Sequence, residues 1–112
     1  AINRGGEKFS CEEVENLILL HEKVHNAALV PMPDPILGEK ACAFVSLREP
    51  GDTLTLNELL EFLSGKLAKF KLPERLEVRP DLPHTNIGKV KKEELREEIY
   101  AIMAEEAKAA AK

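Results

Sequence analysis

The sequence predicts an α+β fold: a small, mostly antiparallel three-stranded sheet covered by helices and preceded by a short Gly-Gly hairpin. Three observations carry this. A chain of 112 residues, 44% hydrophobic and 32% charged, suits one globular domain. Apolar residues recur at helical spacing in some stretches and gather into short β-rich runs in others, in the order helix, strand, strand, helix, strand, helix. The first two β-rich runs are joined by a short connection, which favours antiparallel pairing.

Residues 2–9 read as an extended segment broken by Gly5-Gly6. Ser10 with Glu13 three residues on predicts a capping box, opening a helix from Cys11 to about His21. Val14, Leu17, Ile18 and either Leu20 or His21 form its inner face, and Glu12, Glu13 and Glu15 load its first turns with the charge that the helix dipole favours. Val24 to Pro31 is apolar and reads as a buried strand. Met32-Pro33-Asp34-Pro35 is expected to be a turn, since two prolines oppose both helix and sheet. Lys40 to Leu47 is the second strand. After the Glu49-Pro50-Gly51-Asp52 turn, Thr55 and Glu58 predict a second capping box, for a helix from Leu56 to about Ala68. Its core face is Leu59, Leu60, Phe62, Leu63 and Leu67, with Gly65 a fraying point and Pro73 a stop. Arg75 to Arg79 is a third strand with Leu76 and Val78 inward. A polar loop over 80–89 leads to a last helix from near Lys91 past Tyr100. The segment 104–112 is Ala, Glu and Lys only, lacks an apolar stripe, and is expected to be frayed or solvent-exposed.

Several classes of function are disfavoured. The net charge is −4 with both signs interspersed, there is no Trp, and a basic stripe for nucleic acid is missing. No apolar run approaches the ~18 residues of a membrane span, and no signal-like start is visible. Cys11 and Cys42 form neither a metal pair nor a disulfide framework and read as reduced thiols in a cytoplasmic setting. His21, His25 and His84 lack a ligand pattern, so no metal site is expected. The start at Ala1 is equally consistent with excision from a longer chain and with removal of an initiator Met.

Pro83-His84-Thr85-Asn86-Ile87-Gly88-Lys89 places a lysine behind a glycine in a polar loop ahead of a charged helix. An ammonium on a four-carbon stem suits simultaneous contact with a phosphate and a carboxylate, although a solvated lysine would look the same. Arg4-Gly5-Gly6-Glu7-Lys8 with Glu13-Val14-Glu15, Pro33-Asp34-Pro35 with Leu37-Gly38-Glu39, the run Ala41 to Val45, and Lys69-Phe70-Lys71-Leu72-Pro73 precede it in order. Together these motifs resemble the C-terminal domain of the adenylate-forming enzymes: acyl-CoA synthetases, peptide synthetase adenylation domains and luciferases. The resemblance runs from about Ile2 to Ile99. Residues 1–103 are taken as the mobile C-terminal domain, and Ile2-Asn3-Arg4-Gly5-Gly6-Glu7-Lys8 is most similar to the aryl-acid AMP ligases, which load 2,3-dihydroxybenzoate or salicylate for siderophore synthesis.

The resemblance implies a two-step reaction. A carboxylate attacks the α-phosphate of ATP, giving acyl-adenylate and pyrophosphate; a phosphopantetheine or CoA thiol then displaces AMP. The small domain turns between the steps. Lys89 matches the lysine of the first step, where a placed ammonium would stabilise charge on the phosphate and the attacking carboxylate. Thr85, Asn86 and Gly88 are expected to support its loop. Gly5 and Gly6 match the face used in the second step, where glycine lets a pantetheine arm approach the backbone; Glu7 and Lys8 either line that tunnel or simply cap a turn. Lys40, Arg48 and Lys71 are candidates for docking an acidic carrier protein, against a plain reading as surface charges. ATP with Mg would be bound mainly by a large N-terminal adenylation domain that this sequence does not include, so the isolated chain is expected to be inactive. Two other classes stand beside this reading: a docking module that binds a carrier protein or the cognate N-terminal domain, and a purely structural fragment. Acetylation of the equivalent lysine in some acyl-CoA synthetases makes Lys89 a candidate for the same silencing.

Overall fold

A computed structural model describes residues 1–111. In chain order the elements are β1 (Ile2–Arg4), β2 (Glu7–Phe9), α1 (Cys11–Ile18), β3 (Val24–Asp34), β4 (Gly38–Leu47), α2 (Leu56–Leu63), a 3-10 turn (Lys69–Lys71), β5 (Arg75–Val78) and α3 (Lys92–Ala110). The expected α+β architecture holds. The Gly-Gly hairpin, expected to precede the sheet, joins it through Arg4 opposite Gly38, so the sheet has five strands. All pairings are antiparallel except β4 with β5, which run parallel.

The period of two along β3 and β4 sorts their side chains into two cores. Leu29, Ala41, Ala43 and Val45 face α1 and α2 and pack with Val14, Ile18, Leu59 and Leu63. Ala28, Val30, Met32, Cys42 and Phe44 face α3 and pack with Leu82, Leu95 and Ile99. Phe44 is fully buried, with the Arg79 guanidinium carbon 5.4 Å from its ring centre. Truncating such a side chain costs about 3–5 kcal/mol.

The expectation of a turn at Met32-Pro33-Asp34-Pro35 is overturned. β3 continues through Pro31 and Pro33 to Asp34, and the turn is Pro35-Ile36-Leu37. The reason lies in the hydrogen-bond register. β3 is an edge strand, and the Leu29 amide points outward, to Glu15, rather than to β4. Residues two and four further on, Pro31 and Pro33, share that outward phase in an unbroken register. A proline there gives up a donor that the ladder never uses.

The first two helices are shorter than their sequence patterns suggest, while α3 runs past Tyr100 as expected. α1 stops at Ile18, leaving Leu20 70% exposed, and Glu15 rather than Leu17 is the buried neighbour of Val14. Ser10 makes no side-chain cap; its expected partner Glu13 pairs with Lys71 at 2.6 Å. The capping box of Thr55 and Glu58 is present as expected, in both directions. α2 ends at Leu63, with Gly65 just past its C-cap, ten residues before the expected stop at Pro73. Val78, expected inward, is 38% exposed. The segment over 104–110 is exposed and helical, anchored where Glu106 receives two hydrogen bonds from Arg75 at 2.9 and 2.7 Å; Lys112 lies outside the described residues. Thr55→Ala is expected to lower unfolding stability by about 1 kcal/mol, and Ser10→Ala to stay within about 0.5 kcal/mol. Urea titration of both variants checks the pair, and equal losses would contradict the capping difference.

Candidate functional site

The loop carrying Lys89 is a tight hairpin. His84 bridges Val90, Thr85 N donates to Lys89 O at 2.7 Å, and Gly88 N donates to Thr85 O at 3.0 Å. Gly88 closes the turn at φ 85°, a conformation that side chains disfavour. The Thr85 hydroxyl accepts from Lys89 N at 3.2 Å, whereas Asn86, expected to support the loop, makes no side-chain hydrogen bond among the described residues. The stem is held on one side by buried Leu82 and by a 3.3 Å contact between His84 Nε2 and Asn26 Nδ2. On the other side Lys91 N donates to Pro83 O at 2.8 Å just before α3 begins.

Lys89 is exposed at the end of this hairpin, and Ile87 beside it is 79% exposed. Lys91 and Lys92, two and three residues on, are paired with Glu94 and Glu15; the Lys89 ammonium has no ion-pair partner among the described residues. Its charge is therefore uncompensated within the domain and available to an anion brought to the tip.

The second expected site is at the other end of the sheet. Gly5 and Gly6 form the β1–β2 turn at φ 61° and 93°. Gly5 N donates to Leu37 O at 2.9 Å and Gly6 N to Asn3 Oδ1 at 2.9 Å, which seats the turn against the β3–β4 connection. A Cβ on Gly5 would lie 2.9 Å from Leu37 Cδ2. Glu7 and Lys8 are exposed and unpaired among the described residues. The Lys89 stem meets β3 at Asn26, and the Gly5-Gly6 turn meets it beyond Asp34. Eight residue steps separate these points, or ~26 Å at ~3.3 Å per residue.

The three basic residues marked for docking do not form one patch. Lys40 bridges Asp34 (3.3 Å) and Glu74 (3.2 Å) near the Gly5-Gly6 turn, and Glu74 also holds Arg4 at 2.6 Å. Lys71 is paired with Glu13, and Arg48 donates to Val24 O at 3.0 Å at the opposite end of the sheet. Among the described residues no group of three or more His, Cys, Asp or Glu could hold a metal ion. Burial and nearby Glu77 push the Cys42 thiol up to about 12, which makes it inert.

Three residues that the sequence shows only as members of motifs, Asn3, Asp34 and Glu39, complete the Gly5-Gly6 end. Asn3 caps Gly6, Glu39 accepts from Asn3 N at 2.9 Å, and Asp34 Oδ2 accepts from Leu37 N at 2.7 Å and Ile36 N at 3.1 Å. The signals were present: an Asn three residues before Gly6, and an Asp opening a Pro-containing turn.

Residues 13–89 match the model of the AMP-binding enzyme C-terminal domain. The chain belongs to this family. Over 99 residues it is 50% identical to pyochelin synthase PchD of Pseudomonas aeruginosa and 48% identical to 2,3-dihydroxybenzoate-AMP ligase of Bacillus subtilis, in each case covering 88% of this chain and 18% of the relative. It is 46% identical over 99 residues to a medium-chain fatty-acid–CoA ligase of Escherichia coli, with the same coverage. The apo structure of MbtA from Mycobacterium smegmatis superposes with a TM-score of 0.79 at 38% identity, covering 86% of this chain and 18% of that one. The chain thus spans under a fifth of these relatives' length, and they include an aryl-acid AMP ligase and a fatty-acid–CoA ligase. No helix among the described residues is long and apolar enough to cross a membrane.

The Asp34 cap has a pH signature. The Leu37 and Ile36 amides, and then the Lys40 ammonium, hold the Asp34 carboxyl below the usual carboxylate range. A depressed folded-state value contributes stability above the unfolded value of ~3.9, lost as pH falls through the folded value. Urea midpoints followed from about pH 5 to pH 2 are therefore expected to fall less steeply for Asp34→Asn than for the parent. Parallel acid limbs would remove Asp34 from this role.

Proposed function

We propose that this domain works inside a full-length AMP-forming acid–thiol ligase, supplying Lys89 to the adenylation step and its Gly5-Gly6 end to the thiol step. The observation that carries the reading is the Lys89 ammonium, which has no ion-pair partner among the described residues and stands on a short hairpin beside two lysines that are already paired. In the first step a carboxylate oxygen forms a bond to the α-phosphorus of ATP as the bond to pyrophosphate breaks. Negative charge grows on the phosphate oxygens while the carboxylate is still anionic. An ammonium aimed between them stabilises that charge where it develops, and the fixed Thr85–Lys89 turn limits the reorganisation needed. Mg-bound ATP and the acid would be held by the N-terminal domain.

In the second step the thiol sulfur attacks the acyl carbon and AMP leaves. At Gly6 nothing lies within 4 Å of where a Cβ would stand, which leaves space for a slender pantetheine arm, while at Gly5 that place is taken by Leu37. The ~26 Å separation of the two ends supports a sequential arrangement, since one catalytic centre cannot touch both at once. The domain must turn between steps. The aryl-acid AMP ligases among the relatives favour an aryl acid as substrate, and therefore a carrier-borne thiol from siderophore synthesis as acceptor, with CoA the alternative. A cytoplasmic setting follows from these reactants.

Lys89→Ala in the full-length ligase is expected to lower the turnover of ATP–pyrophosphate exchange by about 10²–10³-fold, while thioester formation from preformed acyl-adenylate stays near the parent rate. The isolated domain is expected to give no exchange above its own Lys89→Ala control. Normal exchange by the full-length variant, or exchange by the isolated domain, would refute the assignment.

A further inference from the structure

We infer that Glu15 is a positioning residue for Lys89, acting through Lys92 across the open edge of the sheet. The inference rests on the function proposed above. Glu15 lies on α1, and its side chain is 12% exposed. A carboxylate so placed needs compensation for lost hydration. It finds two donors on the same oxygen: Leu29 N at 2.6 Å and Lys92 Nζ at 2.6 Å. One carboxylate thereby joins α1, the edge strand β3 and the first residue of α3.

That first residue matters because of what precedes it. Lys92 follows Lys89 by three positions, and the hairpin between Pro83 and Lys91 is closed by its own hydrogen bonds. The tip therefore moves with the first turn of α3. That turn has no side-chain cap, its N-cap being Lys91. Leu95, three residues on, and Ile99 seat α3 in the core, against which Val90 also packs; Lys92 is the side chain that ties this helix start to α1 and β3. Arg96 reaches Glu39 only at 3.8 Å, with its side chain 45% exposed. Of the ion pairs that Lys91, Lys92 and Arg96 make, the one from Lys92 to Glu15 is the shortest and the most sheltered. A carboxylate that binds no reactant in this reading thus sets where the reacting ammonium stands.

The test uses the full-length ligase with Lys92→Met, Lys92→Arg, Glu15→Gln and Lys89→Ala, measuring exchange and thioester formation from preformed acyl-adenylate. Lys92 is half-exposed, so its replacement tests the idea even where Glu15→Gln fails to fold. Displacing a catalytic group by ~1 Å costs on the order of 10²-fold. Lys92→Met is expected to cut exchange turnover by about tenfold or more, with KM for ATP and acid and the thioester step unchanged. Lys92→Arg is expected to restore exchange, and Glu15→Gln with Lys92→Met to be no worse than the poorer single variant. Equal losses in both half-reactions, or normal exchange with Lys92→Met beside loss with Lys89→Ala, overturns this inference alone. Normal exchange with Lys89→Ala overturns the proposed function and this inference with it.

Discussion

The ladder between β3 and β4, from Val24 opposite Leu47 to Asp34 opposite Gly38, is what both cores and both candidate sites hang from. Its strict alternation sends Ala41, Ala43 and Val45 to one side and Cys42 and Phe44 to the other. A slip of one residue would exchange the two sets and leave neither core filled. The register is therefore fixed from two sides at once, by the helices α1 and α2 on one face and α3 on the other. Only the shift between Val24 and Asn26 departs from it, at the end where the Lys89 hairpin attaches.

A rigid ladder with a short polar device at each end separates functions without separating domains. The Gly5-Gly6 turn is seated by the backbone of Leu37 and by the side chain of Asn3. The Lys89 hairpin is seated by Asn26, Leu82 and the start of α3. Neither device shares a side chain with the other. In the reading proposed here, changing the chemistry then means turning the whole block, because the block offers no internal motion that would carry one end to the place of the other.

Much of the fold was legible in the sequence wherever a local rule and the tertiary environment agree. Thr55 and Glu58 form their box even though Lys23 also holds Glu58, because Lys23 takes the other carboxylate oxygen, Oε2, at 3.1 Å and leaves Oε1 to the Thr55 amide. At Ser10 and Glu13 the same pattern makes no cap, and the glutamate pairs instead with Lys71, distant in sequence. Pro31 and Pro33 misled because a proline is forbidden in a strand only where the ladder needs its donor, and that phase is invisible without the partner strand. Val78 followed the alternation expected of β5, but no helix covers it there. The Lys89 and Gly5-Gly6 motifs were plain in the sequence. Their placement at opposite ends was not, since it follows from a bridge between Arg4 and Gly38 and a contact between Asn26 and His84. Glu15 was read as an acid that the helix dipole favours and as part of a motif; its burial depends on Leu29 and Lys92, far off in the chain.

In the reading proposed here the block swings free of a neighbour, and the two edge prolines bear on how its open edge would then behave. An open strand edge invites a second chain to add itself, and a domain that repeatedly parts from its neighbour would expose that invitation at every cycle. Along β3 the outward positions offer a donor at Leu29 that Glu15 already occupies, and none at Pro31 or Pro33. A would-be companion strand meets a comb with its teeth removed. On that reading, a detached domain would therefore offer a copy of itself few free donors along β3.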